Sequence, residues 1–317
     1  MEKRRLGPSS LSIPPLVFGG NVFGWSADEA TSFRLLDMLV DAGLNAIDTA
    51  DVYSRWVPGH QGGESENIIG RWLKKRGKRD DVVIMTKCGM EMPGRGQGLS
   101  PAWIKQAIEN SLKRLQTDYV DLYQAHRDDP ATPLADTLGT YGELIKAGKV
   151  RAVGASNYTA PRLEEALATS KSNNLPSYVS LQPHYNLVER PLFEDGLEAV
   201  CEKHKLGVIP YYSLASGFLT GKYRSSADQG KSAARGRSVG KYLEGKGPKV
   251  LAALDEVAGA TKSTPTQVSL AWMMARPSIT APIASASKPE QLGDLVKATT
   301  LKLSPAQIKA LDAASAN

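Results

Sequence analysis

Residues 82–126 open on Val82-Val83-Ile84-Met85-Thr86-Lys87, pass through Ser100-Pro101-Ala102-Trp103-Ile104 and close on Val120-Asp121-Leu122-Tyr123-Gln124-Ala125-His126. The outer runs are short and rich in β-branched and aromatic residues, so strands are expected at 82–86 and 120–124. Between them Ser100 precedes Pro101 at a first helical position, a cap-then-proline start for a helix over 102–115. A strand, a helix and a strand in that order imply parallel pairing through a right-handed crossover.

The same alternation continues in both directions. Further strands are expected at 15–19, 44–48, 150–154, 178–182, 208–211 and 279–283, and helices at 28–42, 64–75, 133–147, 160–170, 192–204, 248–260 and 265–275. Extra helices at 289–296 and 305–314 lie near the C-terminus. An open doubly wound sheet and a closed barrel both satisfy this order. The unbroken run, with no linker, and eight units in about 300 residues favour a (β/α)8 TIM barrel as one domain over 1–317. Residues 3–7 and 11–13, around Pro8-Ser9-Ser10, read as an N-terminal β-hairpin placed to plug the barrel bottom.

Composition narrows the classes. A hydrophobic fraction of 41% and a charged fraction of 23% suit a soluble globular chain. No apolar run approaches the roughly 20 residues that cross a bilayer. Met1-Glu2-Lys3-Arg4-Arg5 leads into no apolar signal core, so a cytoplasmic location is expected. Cys88 and Cys201 are too few for a disulfide framework and read as free thiols in a reducing compartment. The net charge of +6 is matched by residues 221–249 alone, where eight bases face two acids amid six glycines. This segment reads as a mobile cationic loop: a solvated linker, or a flap over an anionic ligand such as a nucleotide phosphate. The charge lacks the regular aromatic interleaving that nucleic-acid binding would need, so that partner is not expected.

In a barrel the loops after the strands share one face, where function gathers. There the sequence places Asp48 and Tyr53, Lys87, Gln124 and His126, Ser156 and Asn157, Gln182 and His184, and Tyr211. An ammonium beside a phenol favours the phenolate, which lowers the phenol's pKa from about 10 toward neutrality and makes it a usable proton donor. A carboxylate keeps that lysine charged, and a histidine can hold a carbonyl oxygen in line with the donor. Asp48, Tyr53, Lys87 and His126 supply these parts. Lys87 has a rival chemistry, Schiff-base formation as in aldolases.

Other motifs lead elsewhere. No G-x-G-x-x-G occurs, and Gly217-Phe218-Leu219-Thr220-Gly221-Lys222 is one residue short of a P-loop, with Tyr223 where the Mg²⁺-binding hydroxyl would be. Cys201 and His204 have metal-like spacing but no second pair nearby, so no metal is expected. Cys88 adjoins Lys87 and is reactive only if exposed.

Residues 43–53, Gly-Leu-Asn-Ala-Ile-Asp-Thr-Ala-Asp-Val-Tyr, resemble the signature of the aldo-keto reductases, as do Met85-Thr86-Lys87, Tyr123-Gln124-Ala125-His126, Gly154-Ala155-Ser156-Asn157-Tyr158 and Gln182-Pro183-His184-Tyr185-Asn186. Asn45 points to the bacterial-type, potassium-channel-subunit-like side of that family. The resemblance implies an NADPH-dependent oxidoreductase that reduces aldehydes or ketones by direct hydride transfer, with Tyr53 as general acid, tuned by Lys87 and Asp48, and His126 orienting the carbonyl. It further implies that Ser156, Asn157 and Gln182 bind the nicotinamide carboxamide, Tyr211 stacks on the ring, and Ser213, Leu214, Gly217 and Lys222 line the pyrophosphate. The 221–249 loop becomes a flap over the cofactor. The adenosine site maps onto Ser287, Lys288, Gln291 and Asp294. Ser285 and Ser287 replace a usual Gly and a frequent Arg, which leaves Lys288 as the charge facing a 2′-phosphate, with NADH as the weaker cofactor. Trp25, Trp56, Met90 and Arg127 are expected around the substrate pocket. Channel-associated relatives imply one alternative, a redox-sensing subunit that binds NADPH without turnover.

Overall fold

The computed structural model describes residues 2–92, 94–232 and 234–316, with Arg237 as backbone only. Strands β1 (Arg4–Arg5) and β2 (Ser12–Ile13) form an antiparallel hairpin, Arg4 facing Ile13. Eight further strands follow: β3 (Val17–Gly19), β4 (Ala46–Asp48), β5 (Val83–Cys88), β6 (Val120–Ala125), β7 (Val150–Ser156), β8 (Ser180–Gln182), β9 (Gly207–Val208) and β10 (Ile283–Ala284). They pair in parallel in the order β10-β3-β4-β5-β6-β7-β8-β9. The sheet closes on itself: the Ile283 amide donates to Pro210 O at 2.8 Å, and the Thr280 amide to Val208 O at 2.9 Å. The sequence-based barrel and its hairpin are therefore observed.

Helices surround the sheet as α1 (Glu29–Asp41), α2 (Glu64–Arg76), α3 (Pro101–Leu115), α4 (Leu134–Lys146), α5 (Ala160–Ser172), α6 (Pro191–Glu194), α7 (Leu197–Lys203), α8 (Gly247–Thr261), α9 (Pro265–Ala275), α10 (Pro289–Ala298) and α11 (Pro305–Ser315). Side-chain caps start several of them. Asp28 accepts from the Thr31 amide at 2.8 Å, and Ser304 and Gln307 form a reciprocal capping box. None of the described helices is long and apolar enough to cross a membrane.

Two apolar cores hold these layers. One lies between the sheet and the helices and includes Leu35, Leu36 and Leu39 of α1 and Ile68, Ile69 and Trp72 of α2. The other fills the barrel floor, where Leu6, Leu11 and Ile13 of the hairpin region meet Val17, Ala46, Met85, Leu122 and Ile209. Leu6 and Ile13 are wholly buried there.

Three expectations need correction. The helix at 192–204 is two pieces, α6 and α7, because the chain turns through Gly196 at φ 109°, a conformation reserved largely for glycine. The strand at 208–211 ends at Val208, and Pro210 has no amide to extend a ladder. The 221–249 segment is not a free loop. It contains short 3-10 turns at Ser226–Lys231 and Gly236–Tyr242, and it buries Tyr223, Val239 and Tyr242. Its glycines serve close packing more than mobility: a Cβ on Gly236 would stand 1.7 Å from Gln229 O, and one on Gly247 1.8 Å from Tyr242 O.

Candidate active site

Parallel register brings the strand ends to one rim. Gly19 lies beside Asp48, Asp48 beside Met85, Lys87 beside Gln124, Gln124 beside Gly154, and Ser156 beside Gln182. Polar side chains thus point into the barrel mouth from β4 through β8, above the apolar floor.

Lys87 is fully buried and all three of its N–H bonds are used. Its Nζ donates to Asp48 Oδ2 at 2.7 Å, to Thr49 O at 2.7 Å and to the Tyr53 hydroxyl at 2.9 Å. The other Asp48 oxygen, Oδ1, accepts from Gln182 Nε2 at 2.9 Å and Gln124 Nε2 at 3.2 Å. A buried ion pair is tolerable only with its remaining hydrogen bonds satisfied, and these two amides supply them. Sequence reasoning placed Gln124 at a strand end but gave it no role, and it assigned Gln182 to a nicotinamide. The structure ties both to Asp48; period-two spacing along β6 and β8 was the available signal.

The electrostatics correct one expectation. Burial, followed by the Asp48 carboxylate, pushes the Tyr53 phenol well above its ordinary 10.0. Desolvation and a nearby anion outweigh the lysine, so the phenol keeps its proton at neutral pH. Burial also lowers the Lys87 ammonium from 10.5, against the opposing pull of Asp48. His126 follows β6 with its ring edge-on to Tyr53, centroids 6.0 Å apart. Burial first, then Lys87, Arg127 and Arg55, hold its imidazole well below 6.5, so it is neutral, and its Nδ1 has no partner. A protonated phenol and a neutral imidazole therefore lie side by side, the imidazole Nδ1 buried and without a partner. Behind them, Asp51 is also buried, and burial followed by Glu66 raises its carboxyl well above 3.8.

The residues expected to hold a cofactor fall into two groups on this rim. Asn157, left-handed at φ 57°, is pinned from both sides: its Nδ2 donates to His126 O at 2.8 Å and its Oδ1 accepts from Tyr211 OH at 2.7 Å. Asparagine tolerates that conformation, and such strain gathers at functional sites. Ser156 Oγ donates to Gln182 O at 2.9 Å. The Tyr211 ring stacks on His184, centroids 5.3 Å apart. Ser213 is buried, and Leu214 leads into a turn where Ala215, Ser216 and Gly217 all have positive φ. The Lys222 ammonium lies over Tyr223 and close beside Gly217. Further round, Ser287 N donates to Gln291 Oε1 at 2.9 Å, and Lys288, exposed, precedes Pro289 at the start of α10 without capping it. A hydroxyl, an ammonium and a helix N-terminus make a donor set that fits a phosphate. Asp294 is engaged elsewhere, accepting from Gln267 Nε2 at 2.6 Å.

At the outer wall Trp25 meets Trp56 edge-on at 5.4 Å, and Trp56 meets Tyr53 at 5.9 Å. Met90 is half-buried, Arg127 exposed and Trp56 45% exposed. Arg235, unremarked in the sequence beyond its charge, covers the Trp25 ring at 4.7 Å. Cys88 is sealed in the core and its thiol is pushed up by burial, so it is not reactive. Cys201 is buried in α7 while His204 Nε2 pairs with Glu164 at 2.9 Å, and among the described residues no three His, Cys, Asp or Glu gather to hold a metal.

The family model described as "Aldo/keto reductase family" matches residues 15–316. Among curated proteins the chain is 34% identical over 311 residues to "Uncharacterized oxidoreductase YrpG" of Bacillus subtilis (strain 168), covering 96% of this chain and 92% of the relative. It is 33% identical over 325 residues to "Putative voltage-gated potassium channel subunit beta" of Schizosaccharomyces pombe, covering 98% and 92%. It is 30% identical over 324 residues to "Aldo-keto reductase yakc [NADP(+)]" of the same yeast, covering 99% and 91%.

Proposed function

Because the chain belongs to the aldo/keto reductase family, we propose that it is an NADPH-dependent carbonyl reductase, a single catalytic domain converting small aldehydes or ketones to alcohols with Tyr53 as the proton donor. The observation that carries this reading is the Tyr53 hydroxyl, 2.9 Å from a buried ammonium and beside a neutral His126. NADPH, which Asn157, Tyr211, Ser213, Lys222 and Lys288 would hold, would supply the hydride for the carbonyl carbon. As the C=O π bond opens, Tyr53 gives its proton to the oxygen and Lys87 stabilises the phenolate left behind. Asp48, held by Gln124 and Gln182, keeps Lys87 charged and aimed. His126, neutral, would donate its one ring N–H to the carbonyl oxygen and orient it toward Tyr53.

The preference for NADPH rests on Lys288 and Ser287 at the start of α10, and a relative whose name carries NADP(+) supports it. Two buried free thiols support a cytoplasmic setting. Schiff-base chemistry is set aside, since that lysine needs a free amine and Lys87 has every donor engaged. A channel-type relative raises a second reading, cofactor binding without turnover; the intact proton-donor quartet favours catalysis. The test measures NADPH oxidation with a panel of aldehydes for wild type and Tyr53→Phe. Loss of about 10²–10⁴ in kcat is expected for removal of a general acid. Equal rates in both overturn the assignment.

A further inference from the structure

The bases of 221–249 divide by partner. Arg224 pairs with Asp255, Lys231 with Asp228 and Lys241 with Glu189. Arg235 makes no ion pair among the described residues; its guanidinium carbon lies 4.7 Å from the Trp25 centroid and 6.0 Å from that of Tyr212. Burial lowers its pKa, and the groups that counter this are phenols: Tyr212, which also accepts a hydrogen bond from it, then Tyr53 and Tyr223. A guanidinium withdrawn from water without a counter-charge is unfavourable, and its planar fork of donors suits a carboxylate or phosphate.

Its place indicates which molecule brings that anion. Tyr53 touches Trp56, Trp56 touches Trp25, and Arg235 covers Trp25, so the cation stands at the far end of an aromatic wall that begins at the proton donor. Arg127, exposed next to His126, adds positive charge to the same rim. We propose that Arg235 is a specificity residue that receives the carboxylate of an oxo acid lying along the Trp56–Trp25 wall with its carbonyl at Tyr53. This rests on the carbonyl reduction proposed above, and it names the substrate class: small anionic aldehydes or ketones in preference to neutral ones.

The test compares kcat/KM for 4-carboxybenzaldehyde and benzaldehyde, with saturating NADPH, in wild type, Arg235→Gln and Arg235→Lys. Wild type is expected to prefer the carboxylate by about ten- to hundredfold, the worth of a charge-assisted hydrogen-bonded pair. Arg235→Gln collapses that ratio chiefly through KM, and Arg235→Lys, which keeps the charge but not the fork, retains part of it. An unchanged ratio in Arg235→Gln overturns the proposal. So does a fall in NADPH affinity that weakens both aldehydes alike, since Arg235 would then serve a cofactor phosphate. If wild type turns over neither aldehyde, carbonyl reduction itself fails, and binding of benzoate against benzyl alcohol to the NADP⁺ complex still reads Arg235. Benzoate binding lost in Arg235→Gln supports the anion site; equal binding in both proteins removes it.

Discussion

At the scale of single residues the site is a set of linked protonation states. Because Tyr53 is raised and His126 lowered, neither changes charge between their ordinary values of 10.0 and 6.5. The proposed reduction needs Tyr53 protonated, and the phenol keeps its proton below its folded pKa. The expected kcat/KM for an aldehyde is therefore flat from about pH 6.5 through neutrality and falls on the alkaline side, where Lys87, lowered from 10.5 by burial, loses the charge that steadies the phenolate. A phenol tuned to neutrality, as lysine proximity alone suggests, would instead give a decline beginning near pH 7, so a pH–rate profile separates the two. Lys87 and Asp48 are coupled more tightly still. Lys87→Met leaves the Asp48 carboxylate buried and unpaired, and is expected to cost about 3–5 kcal/mol in urea unfolding. Adding Asp48→Asn should restore most of that stability but not turnover. If the single variant is as stable as wild type, the pair is not buried as described. The quartet was legible because Asp48, Lys87 and His126 lie at or next to strand ends, a one-dimensional feature. Gln124 and Gln182 as supports of Asp48 were not, since an amide's partner across 76 or 134 residues is set by register and rotamer.

At the scale of elements, the sequence misjudges where composition and packing disagree. Six glycines in 221–249 suggest a flexible chain, yet Gly236 and Gly247 are places where backbone passes so close to Gln229 and Tyr242 that no Cβ fits. A sequence shows a missing side chain without showing what occupies its space. Arg224 and Asp255 fasten the segment to α8, and Lys241 and Glu189 fasten it to the loop after β8. Gly236→Ala should displace the turn at Gly236–Tyr242 while leaving the barrel intact. The expected result is NADPH affinity weakened by about tenfold together with a loss of about 1–3 kcal/mol in stability, because the added Cβ must push the Gln229 backbone aside. Unchanged affinity would mean that this segment does not cover the cofactor. The helix at 192–204 has the same lesson: its apolar spacing is helical, but Gly196 at φ 109° divides it.

Across the whole molecule, the apolar floor and the proposed chemistry occupy opposite ends of the barrel. The alternation of eight strands with helices was readable throughout because each unit carries its own periodicity and short connections. Strand lengths were less readable, for β8, β9 and β10 are two or three residues long and depend on neighbours for their ladders. The hairpin was readable from residues 3–7 and 11–13 around Pro8-Ser9-Ser10, and the structure adds that Leu6, Leu11 and Ile13 are what it sets into the floor. In that floor Leu6 is wholly buried beneath the strands, far along the barrel axis from Tyr53 and Lys87 at the rim. Leu6→Ala removes apolar volume with no polar group to rearrange, and the expected cost is about 2–5 kcal/mol. For a chain of this size that lowers Tm by several degrees, at about 2 °C per kcal/mol. Aldehyde KM and kcat at 25 °C should stay within about twofold of wild type, because packing lost at the floor does not alter hydrogen bonds at the rim. A fall in kcat that exceeds the change in stability would instead show that the floor and the catalytic rim move as one unit.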